Sequence, residues 1–74
     1  MAVDIELYGQ ILPDAPRRQT LELEDSTTVR GLIARLDLTS EEIGLITINN
    51  VQSELDDMVP SDCRICFFPY VSGG

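Results

Sequence analysis

The sequence predicts an α+β domain: a mixed sheet of four to five strands with one main helix on one face. Three observations predict it. Apolar and polar residues alternate in several short stretches, a single stretch carries a long helical stripe, and turn residues separate them. One helix covers one sheet face, so the other face is predicted open. The order is strand, strand, helix, strand, short strand, strand. It places the first and last strands parallel at the sheet's centre, joined by a crossover containing the helix.

Ala2 to Tyr8 sets Val3, Ile5 and Leu7 on one face and Asp4, Glu6 and Tyr8 on the other, a half-buried strand. Gly9 ends it, and Pro13-Asp14-Ala15-Pro16 forms a polar bend. Gln19 to Glu24 alternates again, with Leu21 and Leu23 opposed to Thr20, Glu22 and Glu24. The two stretches suit an antiparallel hairpin with a long loop. Ile11 and Leu12 are expected to pack beneath that loop.

Asp25-Ser26-Thr27-Thr28 is dense in N-cap residues. Beyond it Val29, Leu32, Ile33 and Leu36 fall at i, i+3, i+4 and i+7, while Arg30 and Arg35 face water. Gly31 costs this helix roughly 0.5–1 kcal/mol unless close packing on the sheet uses the missing side chain. Thr39 to Glu42 reads as a capping box for a second, single-turn helix that Gly44 ends. Leu45 to Ile48 is the third strand, Asn49-Asn50 a turn tolerant of positive φ, and Val51-Gln52 a short fourth strand. Leu55, Met58 and Val59 space like a helical turn or a tucked loop. Arg64 to Phe68 is the last strand, with Ile65 and Phe67 toward the helix. Arg64, Cys66, Phe68 and Tyr70 then line the open face beside Glu6 and Tyr8.

The chain's 74 residues make one domain at the small end of what folds unaided. Thirteen acidic residues against five basic ones give a net charge of −8. That argues against nucleic acid, whose phosphates would repel it, and favours a basic protein partner, with solubility alone as the other reading. No apolar run is long enough to span a membrane and no signal peptide opens the chain, so a cytoplasmic protein is expected. All five basic residues are arginine; lysine and histidine are absent. Imidazole catalysis, Schiff-base chemistry and histidine-ligated metals are therefore excluded within this chain.

Cys63-Arg64-Ile65-Cys66 has the C-x-x-C spacing of a redox or metal site. In a strand, residues three apart point to opposite faces with Cα atoms ~10 Å apart, beyond the ~7 Å a disulfide allows. Inert thiols are predicted.

The last nine residues, Cys66-Phe67-Phe68-Pro69-Tyr70-Val71-Ser72-Gly73-Gly74, organise the rest. A strand leads into Pro69, where the missing donor should weaken pairing, and a short tail ends in two glycines. Glycine lets a backbone enter a channel too narrow for side chains. A terminal carboxylate carried there is a poor electrophile and needs activation, most simply as an acyl-adenylate made from ATP.

The run Phe67 to Gly74 resembles the C-terminus of the small subunit of molybdopterin synthase. It is similar, less closely, to the sulfur carrier of thiamine biosynthesis. Both are ubiquitin-like β-grasp proteins that carry sulfur as a C-terminal glycyl thiocarboxylate. Thr28-Val29-Arg30-Gly31-Leu32 is a family-like helix start. The family commonly has a second proline where this chain has Tyr70. The resemblance implies a β-grasp domain over 1–71 and a flexible reactive tail over 72–74. It implies that Gly74 is adenylated and then thiocarboxylated, that Gly73 occupies the channel, and that Phe68, Tyr70, Val71 and Ser72 meet partners. Those partners are an ATP-dependent activating enzyme and the large subunit of molybdopterin synthase or an equivalent sulfur acceptor. No stably bound cofactor is implied, and ATP is used by the activating enzyme. The domain is then a carrier and co-substrate whose catalytic groups sit on its partners.

Two further uses of the same tail stand beside this one. Gly74 joined to a lysine of another protein would make the chain a modifier. The lack of lysine forbids lysine-linked chains of itself but permits single attachment. A plain binding module with an inert tail is the third.

Overall fold

The computed structural model describes residues 1–9, 11 and 15–70. The elements are β1 (Ala2–Leu7), β2 (Arg18–Glu22), α1 (Val29–Arg35), a 3-10 turn at Ser40–Glu42, β3 (Ile43–Ile48), β4 (Val51–Gln52) and β5 (Cys63–Pro69). They form one five-stranded sheet in the order β2-β1-β5-β3-β4. β1 and β5 run parallel at its centre, with Ile5 opposite Ile65 and Leu7 opposite Phe67. The flanking pairs, β1 with β2 and β3 with β5, are antiparallel. This is the predicted mixed sheet with one helix, the ubiquitin-like β-grasp.

The core follows from the alternation. Val3, Ile5, Ile65 and Phe67 project from the central pair and meet Val29, Leu32 and Ile33 of α1, all of them buried. Ile11 is buried beneath the long loop, as expected; Leu12 and the Pro13-Asp14 part of the bend lie outside the described residues. Leu23 is buried although β2 already ends at Glu22. The main-chain bond from Leu23 N–H to the Met1 carbonyl, at 2.8 Å, holds it there.

Thr28 caps α1 with its hydroxyl on the Gly31 N–H at 3.2 Å. The remaining donors of the first turn find partners outside the helix. Val29 N–H donates to the Asp57 carbonyl at 2.9 Å and Arg30 N–H to the Leu55 carbonyl at 2.8 Å. The 55–59 segment is thus the tucked loop and not a helical turn: Val59 is buried, while Met58 pairs across to Thr28 and leaves its side chain exposed. Gly31 does not pack on the sheet. A Cβ there would collide with the Thr27 hydroxyl.

Two local readings need correction at β3. Thr39 makes no side-chain capping bond, so the single turn at Ser40–Glu42 is held by its backbone alone. Gly44 does not end that turn; β3 has already begun at Ile43. Opposite β5, Ile43 faces Pro69 and Leu45 faces Phe68, which leaves Gly44 as the extra residue of a β-bulge. Pro69 accordingly remains opposite a strand residue, and the missing donor falls where the ladder is already interrupted. At the far end of β3, Asn49 and Asn50 both take positive φ (50° and 69°), closing the two-residue hairpin into β4.

Candidate functional site

The open face is less bare than alternation alone suggests. Glu6, near the C-terminal end of β1, is only 8% exposed although it points away from the helix. Three side chains from three strands or their ends close over it. The Tyr8 hydroxyl donates to Oε2 at 2.5 Å, and Arg64 Nε and Arg18 Nε lie 3.3 Å and 3.7 Å from Oε1. The Tyr8 hydrogen bond, helped by the charges of Arg64 and Arg18, holds the Glu6 carboxyl below its ordinary range. The same bond pushes the Tyr8 phenol up, because ionising it would set two anions together. Among the described residues no buried side-chain nitrogen or oxygen lacks a partner.

Tyr8 also fixes its neighbour. Its ring stacks on Phe68 with centroids 4.5 Å apart and planes 9° from parallel. Phe68 is therefore half-buried, one side of its ring against Tyr8, and not a free-standing anchor. Leu45 and Tyr70 are exposed near it, Tyr70 at 63%. Tyr8, Phe68 and Leu45, which stands opposite Phe68 in register, make an apolar patch on the open face, and the exposed Tyr70 follows just past the end of β5, lining a groove with Gly44 and Leu45.

Cys63 and Cys66 are both free and both buried, Cys63 in the core and Cys66 on the other side of β5. Burial pushes the Cys63 thiol up, the opposite of what an activated thiolate needs. Among the described residues, no group of three or more cysteine, aspartate and glutamate side chains is placed to hold a metal ion, and no helix is long and apolar enough to cross a membrane.

The chain leaves the sheet at Pro69 and Tyr70, and two residues that alternation did not single out flank that point. Gly9 sits just past β1 at φ +65°, and Gly44 is the bulge residue of β3. A Cβ on Gly9 would lie 2.6 Å from Pro69 Cγ; one on Gly44 would lie 3.0 Å from the Pro69 carbonyl oxygen and from Tyr70 Cα. The signal was present for Gly44, since a glycine within a strand pattern marks a bulge or a close approach. Val71, Ser72, Gly73 and Gly74, four of the residues singled out in the sequence, lie outside the described residues.

The sheet order and single helix define the class of protein: a ubiquitin-like β-grasp domain. No family model matches the chain, and the search of curated proteins found no match. Solved structures do match. The chain is similar to SAMP1 from Haloferax volcanii, with a TM-score of 0.77 and 19% identity over 100% of both chains. It is also similar to a chain in the protein–protein complex of subunits 1 and 2 of molybdopterin-converting factor from Helicobacter pylori 26695. There the TM-score is 0.66, again with 19% identity and full coverage of both chains. At this identity the likeness is one of fold.

Proposed function

We propose that the chain is a sulfur carrier of molybdopterin biosynthesis, a small subunit that delivers sulfur from its C-terminal glycine. One observation carries the reading. The family-like run from Phe67 to Gly74 begins within β5, a central strand of the β-grasp sheet, and its glycine pair follows that strand in sequence. The fold likeness to a chain of the Helicobacter pylori molybdopterin-converting factor complex supports it.

In this reading a Gly74 carboxylate oxygen attacks the α-phosphorus of ATP, forming an acyl-adenylate and releasing pyrophosphate. A hydrosulfide-equivalent donor then attacks the acyl carbon and displaces AMP, leaving the thiocarboxylate. The activating enzyme binds ATP, and this chain holds no cofactor of its own. Gly73 keeps the backbone thin beside the reacting group. Phe68, Tyr70, Val71 and Ser72 are the residues that partners grip; of these the described ones are the half-buried Phe68, stacked on Tyr8, and the exposed Tyr70. The sulfur acceptor is a larger synthase subunit, as the two-subunit complex suggests by analogy.

Intact mass of the chain purified from its own cells tests this. A thiocarboxylate adds about 16 Da, the difference between sulfur and oxygen. Adducts the size of another protein would show a modifier instead. An unchanged mass under conditions of active cofactor synthesis would overturn the sulfur-carrier reading.

A further inference from the structure

Gly9, just past the end of β1, and Gly44, within β3, belong to the two sides that flank β5 in the sheet. Neither glycine is required by its own strand's face. What they share is Pro69: the proline ring fills the space where a Gly9 side chain would be, and the Pro69–Tyr70 backbone fills the space beside Gly44. We propose that these two glycines are positioning residues, a two-sided guide that sets the direction in which the chain leaves the sheet toward its reactive end. For its role in the reaction this rests on the sulfur-carrier reading; as a geometric device it does not.

The physical argument has three parts. The β-bulge at Gly44 shifts the β3–β5 register between Phe68 and Pro69, and the pairing ends with Ile43 opposite Pro69, so no ladder dictates direction beyond that residue. The proline has no N–H to pair and holds its own φ near −65°, so past Pro69 the exit path is set by contact and not by ladder bonds. Contact is tight on both sides, 2.6 Å and 3.2 Å from a Gly9 Cβ to the Pro69 ring, and 3.0–3.1 Å from a Gly44 Cβ to backbone atoms. Just upstream, the bond from Tyr8 N–H to the Phe67 carbonyl at 3.0 Å and the Tyr8–Phe68 stack anchor the strand. The exit therefore begins from a fixed point and passes between two missing side chains. A side chain at either glycine pushes Pro69–Tyr70 aside and so changes the direction in which the chain leaves the sheet.

Gly44→Ala is the direct perturbation, since alanine adds one carbon and the atoms it meets are main chain. Gly9 takes positive φ, so Gly9→Asn is the better variant there, because asparagine tolerates that region. The Cβ that Gly9→Asn introduces would meet a proline ring, and Pro69→Ala in the same chain removes Cγ and Cδ, the two ring carbons it meets too closely, leaving Cβ at an ordinary 3.5 Å. Two readouts are taken on wild type, Gly44→Ala, Gly9→Asn and the double variant Gly9→Asn with Pro69→Ala. The first is the residual dipolar coupling of the Tyr70 amide in the free protein, with urea midpoints recorded alongside. The second is the fraction of each chain recovered from its own cells as thiocarboxylate. Both single variants should keep the couplings of β1 and β5 but change that of Tyr70. Their charged fraction should fall about tenfold, the scale of an ångström-size misplacement of a reacting group, and the double variant should recover to within about twofold of wild type. Unchanged Tyr70 couplings in both single variants would overturn the guide, as would full charging of both. A failure of Pro69→Ala to rescue Gly9→Asn would overturn it on the Gly9 side. If the wild-type chain carries no sulfur at all, the sulfur-carrier reading falls and the couplings decide the guide by themselves.

Discussion

Phe67 and Phe68 are adjacent in sequence and opposite in consequence. Phe67 is fully buried at the centre of the sheet, against the helix; Phe68 is half-buried on the other face, stacked on Tyr8. Truncating a buried phenylalanine to alanine costs about 3–5 kcal/mol, from lost transfer energy and the cavity left behind. A single core in a domain of this size supplies roughly 3–5 kcal/mol of net stability. Phe67→Ala should therefore be largely unfolded at 25 °C without denaturant. Phe68→Ala removes about half as much buried area and one aromatic stack, about 1–2 kcal/mol together. It should remain folded with a melting temperature lower by roughly 5–15 °C. Urea unfolding followed by circular dichroism on both variants reads the difference. On the docking side, Phe68→Ala should also weaken binding to the synthase subunit or activating enzyme by roughly 1–3 kcal/mol. Because a one-residue slip in register exchanges the two faces, equal losses at both positions, or a larger loss at Phe68, would refute the register of β5 and the surface built on it.

Gly73→Val should leave the urea midpoint unchanged yet abolish charging of Gly74, since a β-branched side chain widens the tail and restricts its φ; normal adenylation, measured as ATP–pyrophosphate exchange, would sink the narrow-channel argument. The Cys63→Ser, Cys66→Ser double variant should still acquire the mass of a thiocarboxylate, with stability lower by about 1–3 kcal/mol because two buried thiols become hydroxyls; a folded double variant that accepts no sulfur would restore a redox role to the pair. Glu6 predicts the acid limb. Its carboxyl is held below the ordinary 4.5 by the Tyr8 hydrogen bond and the nearby arginines, so the stability it contributes is complete above that value and is lost as pH falls through the lower folded value. Glu6→Gln should lose less stability than wild type between about pH 6 and about pH 3, with Asp57 contributing alike in both; an equal loss would place the acid sensitivity elsewhere.

Much of this fold is legible in local pattern, for a physical reason. Side-chain faces repeat every two residues in a strand and every 3.6 in a helix, so Val3, Ile5 and Leu7, or Val29, Leu32 and Ile33, announce a buried face from their spacing alone. Caps and turns are equally local. The Thr28 hydroxyl meets the Gly31 N–H three residues on, and Asn49-Asn50 tolerates the positive φ its hairpin requires. Opposite faces for Cys63 and Cys66 follow from the same parity. The tail's glycines are read from composition and place in the chain, which owe nothing to packing.

What only the tertiary structure decided depends on pairs of residues far apart in sequence. Gly44 looks like a helix terminator beside Ser40–Glu42, and its place in a bulge exists only once β3 has chosen a register against β5. Gly9 and Gly44 become neighbours of Pro69 only because β1 and β3 flank β5. Glu6 reads as an exposed strand carboxylate until Arg18 and Arg64, from two other strands, close over it. Phe68 reads as an exposed ring until Tyr8 stacks upon it. The first turn of the helix takes its partners from carbonyls at Leu55 and Asp57, more than twenty residues downstream. Period and propensity act within a few residues and so are written along the chain, whereas register and close approach arise only when separate strands meet.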